Sequence, residues 1–301
     1  MLDIETGEQA VLFSSDTLFI EAPNWHPGGE HLVLNAEGGL LRLGLDGAAL
    51  DGTYADDGSA PEARLEPIDV PPELVLNNDH VISPDGESLY VTARDGHVYR
   101  VPWEGGEATR LTLPSDPAQR FKYYLHGVSP DGLTLAAVGG GVDASGAWVT
   151  NICTLPASGG EHRMLTDDAF ADDGPEFSAD GEQIWFNSER EAERAGHAQI
   201  FRMGRDGGAP TRVTHDDRVN WFPHPSPDGR QVLYLSYPVA TTGHPPNLDV
   251  ELRLIDEATG RTRTVASFFG GQGSSNVPAW SPDSRRVAYV AYPVSAASAG
   301  A

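Results

Sequence analysis

One turn recurs six times along this chain, each time between an apolar stretch and an alternating one. It is spelled His26-Pro27-Gly28-Gly29, Ser83-Pro84-Asp85-Gly86, Ser129-Pro130-Asp131-Gly132, Ser178-Ala179-Asp180-Gly181, Ser226-Pro227-Asp228-Gly229 and Ser281-Pro282-Asp283-Ser284. Successive turns lie 57, 46, 49, 48 and 55 residues apart. A period in this range dictates a repeat architecture, in which each unit buries an apolar face only by stacking on its neighbours. Proline fixes φ at the first corner, and Asp and Gly accept the bridge and left-handed conformations that complete the turn.

The second repeat shows what lies between turns. Residues 80–82 form a short apolar strand, 88–92 alternate as a second, 97–101 as a third and 108–112 as a fourth. Four antiparallel strands without helical periodicity describe a propeller blade. After the last turn only residues 286–290 remain as a strand, while the N-terminus offers residues 2–4, a turn at 5–8 and residues 9–13. Tail and head together make one repeat length. The expectation is an all-β, six-bladed β-propeller with four antiparallel strands per blade, its last blade closed by N-terminal strands so that no sheet edge is left open. One domain then covers residues 1–301, with blades at about 17–70, 77–113, 122–167, 172–215, 220–268, and 276–292 plus 1–14. The insertion at residues 46–61, rich in Gly, Ala and Asp, reads as a surface loop.

Composition excludes several function classes. A net charge of −24 argues against nucleic acid, whose phosphates need clustered Lys and Arg. Cys153 is the single cysteine, so no internal disulfide can form, which fits a reducing compartment. No apolar run approaches the roughly 18 residues of a membrane span. The start Met1-Leu2-Asp3-Ile4-Glu5 lacks the basic and apolar segments of a signal peptide, so a cytoplasmic location is expected, or a periplasmic one if an export signal has been removed.

Strands that alternate up and down sort the connections onto two faces. The Pro-Asp-Gly and Gly-Gly turns share one face. The second-to-third loops and the links between blades share the other, at one mouth of the central channel. In register, Pro23, Pro175, Pro223 and Pro278 precede the innermost strands; His80 and His126 replace that proline, and His224 falls one residue later, where Glu176 stands in the fourth blade. The loop at 242–247 adds His244, and that of the fourth blade adds Arg190, Arg194 and His197. Convergent polar loops at a tunnel mouth make a binding site the natural expectation. The expected ligand contacts are Asn78, Asp79, Tyr124, Asp173, Asn220, Trp221, Arg190, Gln272 and Asn276, with Trp221 either a packing residue or a stacking surface for a sugar ring. The turn aspartates are structural, and Trp25, Trp103, Trp185 and Trp280 are packing residues. A histidine in a link can equally be a hydrogen-bonded tie between blades.

Two chemistries fit such a mouth. His80, His126, His224 and His244 with Gln272 or Glu176 could hold a divalent metal (Mn, Zn, Ni, Fe or Ca). Alternatively His126, His224 or Glu176 abstracts a proton from a carbohydrate, with Arg190 or Arg253 steadying the charge. No Gly-x-Ser-x-Gly elbow occurs and Cys153 falls on an outer strand, so a peptidase is not expected.

The fourth strand recurs as His162-Arg163-Met164-Leu165-Thr166, Thr211-Arg212-Val213-Thr214 and Thr262-Arg263-Thr264-Val265. With the Ser-Pro-Asp-Gly turns, this spelling resembles the repeat of TolB-type propellers, the PD40 class of WD40-like repeats. The resemblance is specific for fold and weak for function, because the same blade serves scaffolds, peptidase propellers and lyases. TolB propellers are periplasmic and dock proteins, which implies a protein partner as the alternative to a small-molecule or oligosaccharide ligand. Oligogalacturonate lyases are a more distant resemblance; they have seven blades and hold Mn with three His and a Gln. The expectation is thus a saccharide or sugar-acid site, lyase- or hydrolase-like, against a non-catalytic binding propeller.

Overall fold

The structure is a computed structural model that describes residues 1–45, 65–115, 117–192 and 194–292. Strand β1 is Leu2–Asp3. Blade 1 comprises β2 (Ile20–Trp25), β3 (His31–Ala36), β4 (Gly39–Gly44) and β5 (Leu65–Ile68). Blade 2 comprises β6 (Leu76–Ile82), β7 (Ser88–Ala93), β8 (Val98–Pro102) and β9 (Thr109–Arg110). Blade 3 comprises β10 (Lys122–Val128), β11 (Thr134–Val142), β12 (Trp148–Pro156) and β13 (Arg163–Met164). Blade 4 comprises β14 (Asp172–Phe177), β15 (Gln183–Ser188), β16 (Gln199–Gly204) and β17 (Thr211–Arg212). Blade 5 comprises β18 (Val219–Pro225), β19 (Gln231–Tyr237), β20 (Leu248–Asp256) and β21 (Thr262–Gly270), and β22 is Arg286–Val287. Every blade is an antiparallel meander in chain order. The expected loop at 46–61 lies outside the described residues.

Five four-stranded blades form among the described residues, not the expected six. The sixth repeat yields a two-stranded sheet, with Leu2 opposite Val287 and Asp3 opposite Arg286. Its flanking segments meet it only at the single bridges Leu2–Gln9 and Trp280–Val287. The strands expected at 9–13 and 286–290 are cut short because the chain finds other partners. Past Val287 the amides of Ala288, Val290 and Tyr292 donate to the carbonyls of Ala279, Ser274 and Phe269, tying the segment to the preceding link and to β21.

The repeated residues have readable causes. In the second repeat Ser83 Oγ donates to Asp85 Oδ1 at 2.5 Å, that oxygen accepts the Glu87 amide, and Ser83 Oγ accepts the Ser88 amide. Gly86 closes the turn at φ 75°. In the first repeat His26 Nδ1 takes the serine's place, accepting the Gly28 amide at 3.0 Å. The expected fourth strands are mostly two-residue strands. The Thr that follows supplies a side-chain acceptor instead: Thr112, Thr166 and Thr214 Oγ1 accept the amides of Val98, Ile152 and Ile200.

The Gly-Gly turn docks each blade on the one before it. Gly106 donates to Asp69 O at 2.8 Å and Gly160 to Leu111 O at 3.0 Å. Gly105 sits at φ 83°, and a Cβ there would lie 2.7 Å from Asp69 O and 2.8 Å from Asp69 N. Gly105→Ala is therefore expected to cost about 1–3 kcal/mol, since both the φ and the backbone contact oppose a side chain; unchanged chemical denaturation would refute this.

Apolar burial is concentrated between adjacent sheets. Leu40, Leu76 and Leu89 join blades 1 and 2, while Ala136, Ile152, Phe177 and Phe186 join blades 3 and 4. Polar ties accompany them on the axial side: Asn24 Nδ2 donates to His80 O, Thr92 Oγ1 accepts the Leu125 amide, and Asn187 Oδ1 accepts the Phe222 amide.

Candidate functional site

The first strand of each blade carries a bulge where it reaches the channel mouth. Register shifts fall between Glu21 and Asn24, Leu76 and His80, Leu125 and Gly127, Asp173 and Glu176, and Trp221 and His224. An extra residue at this point bends the strand and re-aims its side chains. Glu21, Tyr124, Asp173 and Trp221 oppose Asn35, Val138, Asn187 and Leu235, the same position of the second strand in each blade. One repeat position thus presents four different chemistries at the mouth.

Two histidine–carboxylate pairs lie beside this set. His126 Nε2 is 3.2 Å from Asp173 Oδ1, and its Nδ1 bonds the Asn276 carbonyl at 2.9 Å. Burial opposes a charged imidazole, yet the Asp173 hydrogen bond and the charges of Asp79 and Asp173 outweigh it and hold His126 up to about 9. Burial likewise works against ionised Asp173, but His126 and His244 pull its carboxyl below the usual range. Asp79 is pushed upward, by burial first and by the Asp173 charge, against the pull of His126. In the second pair His224 Nδ1 is 2.7 Å from Glu176 Oε2 while its Nε2 bonds Ser275 O at 3.2 Å. Burial raises Glu176 against the pull of His224.

A cavity of about 540 Å³ opens over blades 3 to 5. Trp148 and Val149 from β12, Ala171 and Asp173, Trp221, His244 and Gln272 line it. The His244 ring packs on Trp221 at 4.4 Å between centroids, its Nδ1 contacts Gln272 Oε1, and its Nε2 stands 3.9 Å from Asp173 Oδ2. Gln272 Oε1 can only accept, so the Nδ1 that meets it carries a proton. Trp221 Nε1 is buried without a hydrogen-bond partner.

Of the expected site residues, Asp173, Trp221, His244 and Gln272 come together at this cavity. Tyr124 lies near it: a Cβ on Gly140 would meet both its ring and the Trp148 indole, at 3.3 and 2.6 Å. The others have bonding roles elsewhere. Arg190 is not free for a ligand, because Asp172 holds it at 2.7 Å and Asp168 at 3.4 Å. Asn220 is fully buried, bonded to Asp216 and Ser236, and Asn276 Oδ1 accepts the Gly273 amide. Asn78 donates to Glu21, and Asp79 accepts from Asn77. Arg253 pairs with Asp216 at 2.6 Å rather than steadying charge at the mouth. None of His126, His224 and Glu176, the expected catalytic groups, lines the cavity.

The expected metal set does not fit either. Both ring nitrogens of His126 and of His224 are already engaged, and His244 is bonded to Gln272. His80 is fully buried with neither ring nitrogen hydrogen-bonded, and burial, which pushes it down to about 4, keeps it neutral, but it stands alone among the described residues. Among the described residues no group of three or more His, Cys, Asp or Glu is placed to hold an ion. Sequence reasoning missed Trp148, although it stands at the second-to-third loop of blade 3, the same loop class as His244, and is 45% exposed.

A family model described as the TolB beta propeller domain matches residues 127–242. An uncharacterized protein of Agrobacterium fabrum is 36% identical over 298 residues, covering 97% of this chain and 91% of that one. A solved candidate TolB from Agrobacterium tumefaciens is 35% identical with a TM-score of 0.81, covering 97% of both chains. TolB from Acinetobacter baumannii, at 16% identity and a TM-score of 0.56, is covered over 56% of its length by 88% of this chain. The manganese complex of oligogalacturonate lyase, at 13% and 0.53, is covered over 72% of its length by 89% of this chain. The last two share the fold alone. The turn chemistry, the four-stranded antiparallel blades and likeness over nearly the whole length agree: the chain belongs to the TolB-type β-propeller family.

Proposed function

We propose that this protein binds a small polar ligand of saccharide type at the channel mouth. The observation that carries this is the cavity itself, within the range of about 300–1,000 Å³ usual for such sites. It combines two indoles with Asp173, His244 and Gln272. The exposed Trp148 indole offers a face to the apolar side of a sugar ring. Catalysis at this site would fall to His244, the one imidazole that lines the cavity among the described residues. A protein partner is the second reading, favoured by Trp148, Phe170 and Val239, exposed by 45, 47 and 57% on mouth-side loops and links of blades 3 to 5. Titrating neutral and charged oligosaccharides while following tryptophan emission tests the proposal, with elimination products read in the same samples. Trp148→Ala is expected to weaken binding at least about fivefold, a typical loss for a stacking contact. Equal affinity in the variant would reject the site.

We also propose that the β1–β22 pair closes the ring as a reduced sixth blade. Leu2, Ile4, Trp280 and Val287 pack on blade 5, and Ala288 with Met1 and Leu12 packs on blade 1, which supports this reading.

A further inference from the structure

The ionic character of the cavity narrows the ligand further, on the footing of the saccharide-type site proposed above. Its twelve lining residues include neither Lys nor Arg, and Asp173 is their single carboxylate. The cationic groups around it are committed elsewhere. Arg190 is held by Asp172 and Asp168, and Arg218 by Glu251 at 3.4 Å. His126 engages Asp173 through Oδ1, which also accepts the Gly174 amide at 2.7 Å. Both hydrogen bonds to this carboxylate therefore fall on Oδ1. Among the described residues Oδ2 has only His244 Nε2, at 3.9 Å, beyond hydrogen-bond reach.

The aromatic frame agrees with this polarity. Trp148 leans over Gly140, which leaves room for the indole because it has no Cβ, and Trp221 lines the same cavity with the His244 ring against it. The exposed Trp148 indole in a cavity that also holds a carboxylate attracts a cation through the ring quadrupole and the charge together. A ligand carboxylate would instead meet Asp173 Oδ2, while His126, the cation bonded to this carboxylate, engages it through Oδ1. The chain's net charge of −24 acts in the same direction at longer range.

We propose that the ligand carries an ammonium group, as an amino sugar or another organic amine does, seated between Asp173 Oδ2 and the indoles of Trp148 and Trp221. The sugar-acid half of the sequence expectation is thereby replaced by its opposite in charge.

The test is calorimetric titration at pH 6 and low salt with four probes: a glucosamine trimer, its N-acetylated form, a galacturonate trimer, and choline. The glucosamine trimer is expected to bind at least about tenfold more tightly than the other two sugars, with affinity falling as salt rises. Gly140→Ala, whose new Cβ displaces the Trp148 indole, and Trp148→Ala should each remove most of that preference while leaving the melting temperature unchanged. Choline binding with no sugar binding would support the ammonium site and reject the saccharide reading. Equal binding of all three sugars, or preference for the galacturonate, would overturn the ammonium site and leave the saccharide reading standing. Silence from all four probes would overturn both.

Discussion

Asp173→Asn is expected to lower the unfolding free energy at pH 7 by about 1–3 kcal/mol, the usual cost of leaving a buried group, here His126, without its partner. Asparagine keeps the shape of the side chain but not its charge. His126, 4% exposed, would then have only the Asp79 charge and the Asn276 carbonyl to set against its burial. The Gly174 amide would compete with it for the one remaining amide oxygen. Urea denaturation at pH 7 reads the loss directly. Combining Asp173→Asn with His126→Gln should cost less than the two single losses added, because the groups are in direct contact. A loss below about 1 kcal/mol in the single variant would show that the pair is solvated and weak.

The same pair makes stability depend on pH. His126 is held at about 9 in the folded chain against an ordinary 6.5. A raised histidine favours the folded state fully below the lower value, and that contribution is lost as pH rises through the upper one. The window is therefore pH 6.5 to 9, and the loss across it is about 3 kcal/mol from the linkage of pKa to free energy. The lowered Asp173 pKa reports the same ion pair from the other side and adds nothing in this window. An opposing contribution comes from the Met1 amino group, which burial pushes down to about 6 from 8.0. Folding favours its neutral form, so its contribution rises between those values. The measurement is accordingly the difference between the parent and His126→Gln, in which the Met1 contribution cancels. Parallel stability curves for the two proteins would sink the assignment.

The turns were fully legible because their chemistry is local. Ser83, Asp85 and Gly86 make their bonds within a few residues, so spelling and geometry coincide. The two faces followed from alternation, and they singled out Asp173, Trp221, His244 and Gln272 without a structure. Arg190 was misplaced for a different reason. Its position in a mouth-side loop was right, but its partner Asp172 lies on another strand, and no spacing rule records that pair. His126 and His224 had their partners hidden in the same way. Their departure from the consensus proline was visible, while the Asn276 and Ser275 carbonyls and the Glu176 carboxylate that occupy them came from distant blades or links. Gly140 gave no signal, because a small residue's purpose shows only when its neighbour is known.

The sequence by itself determined the repeat, its turn chemistry, the four-stranded blade and the face on which variation collects. These depend on contacts within one repeat, where periodicity and φ preferences decide the outcome. Tertiary structure alone decided the short sixth sheet, the partners of every buried charge and the walls of the cavity. Each of these turns on which groups from separate repeats arrive within hydrogen-bonding distance. A difference of one partner converts an imidazole from a metal ligand into a buried cation beside Asp173. The recurring turn set where the blades stand, and the space between blades 3 and 5 set which residues meet there.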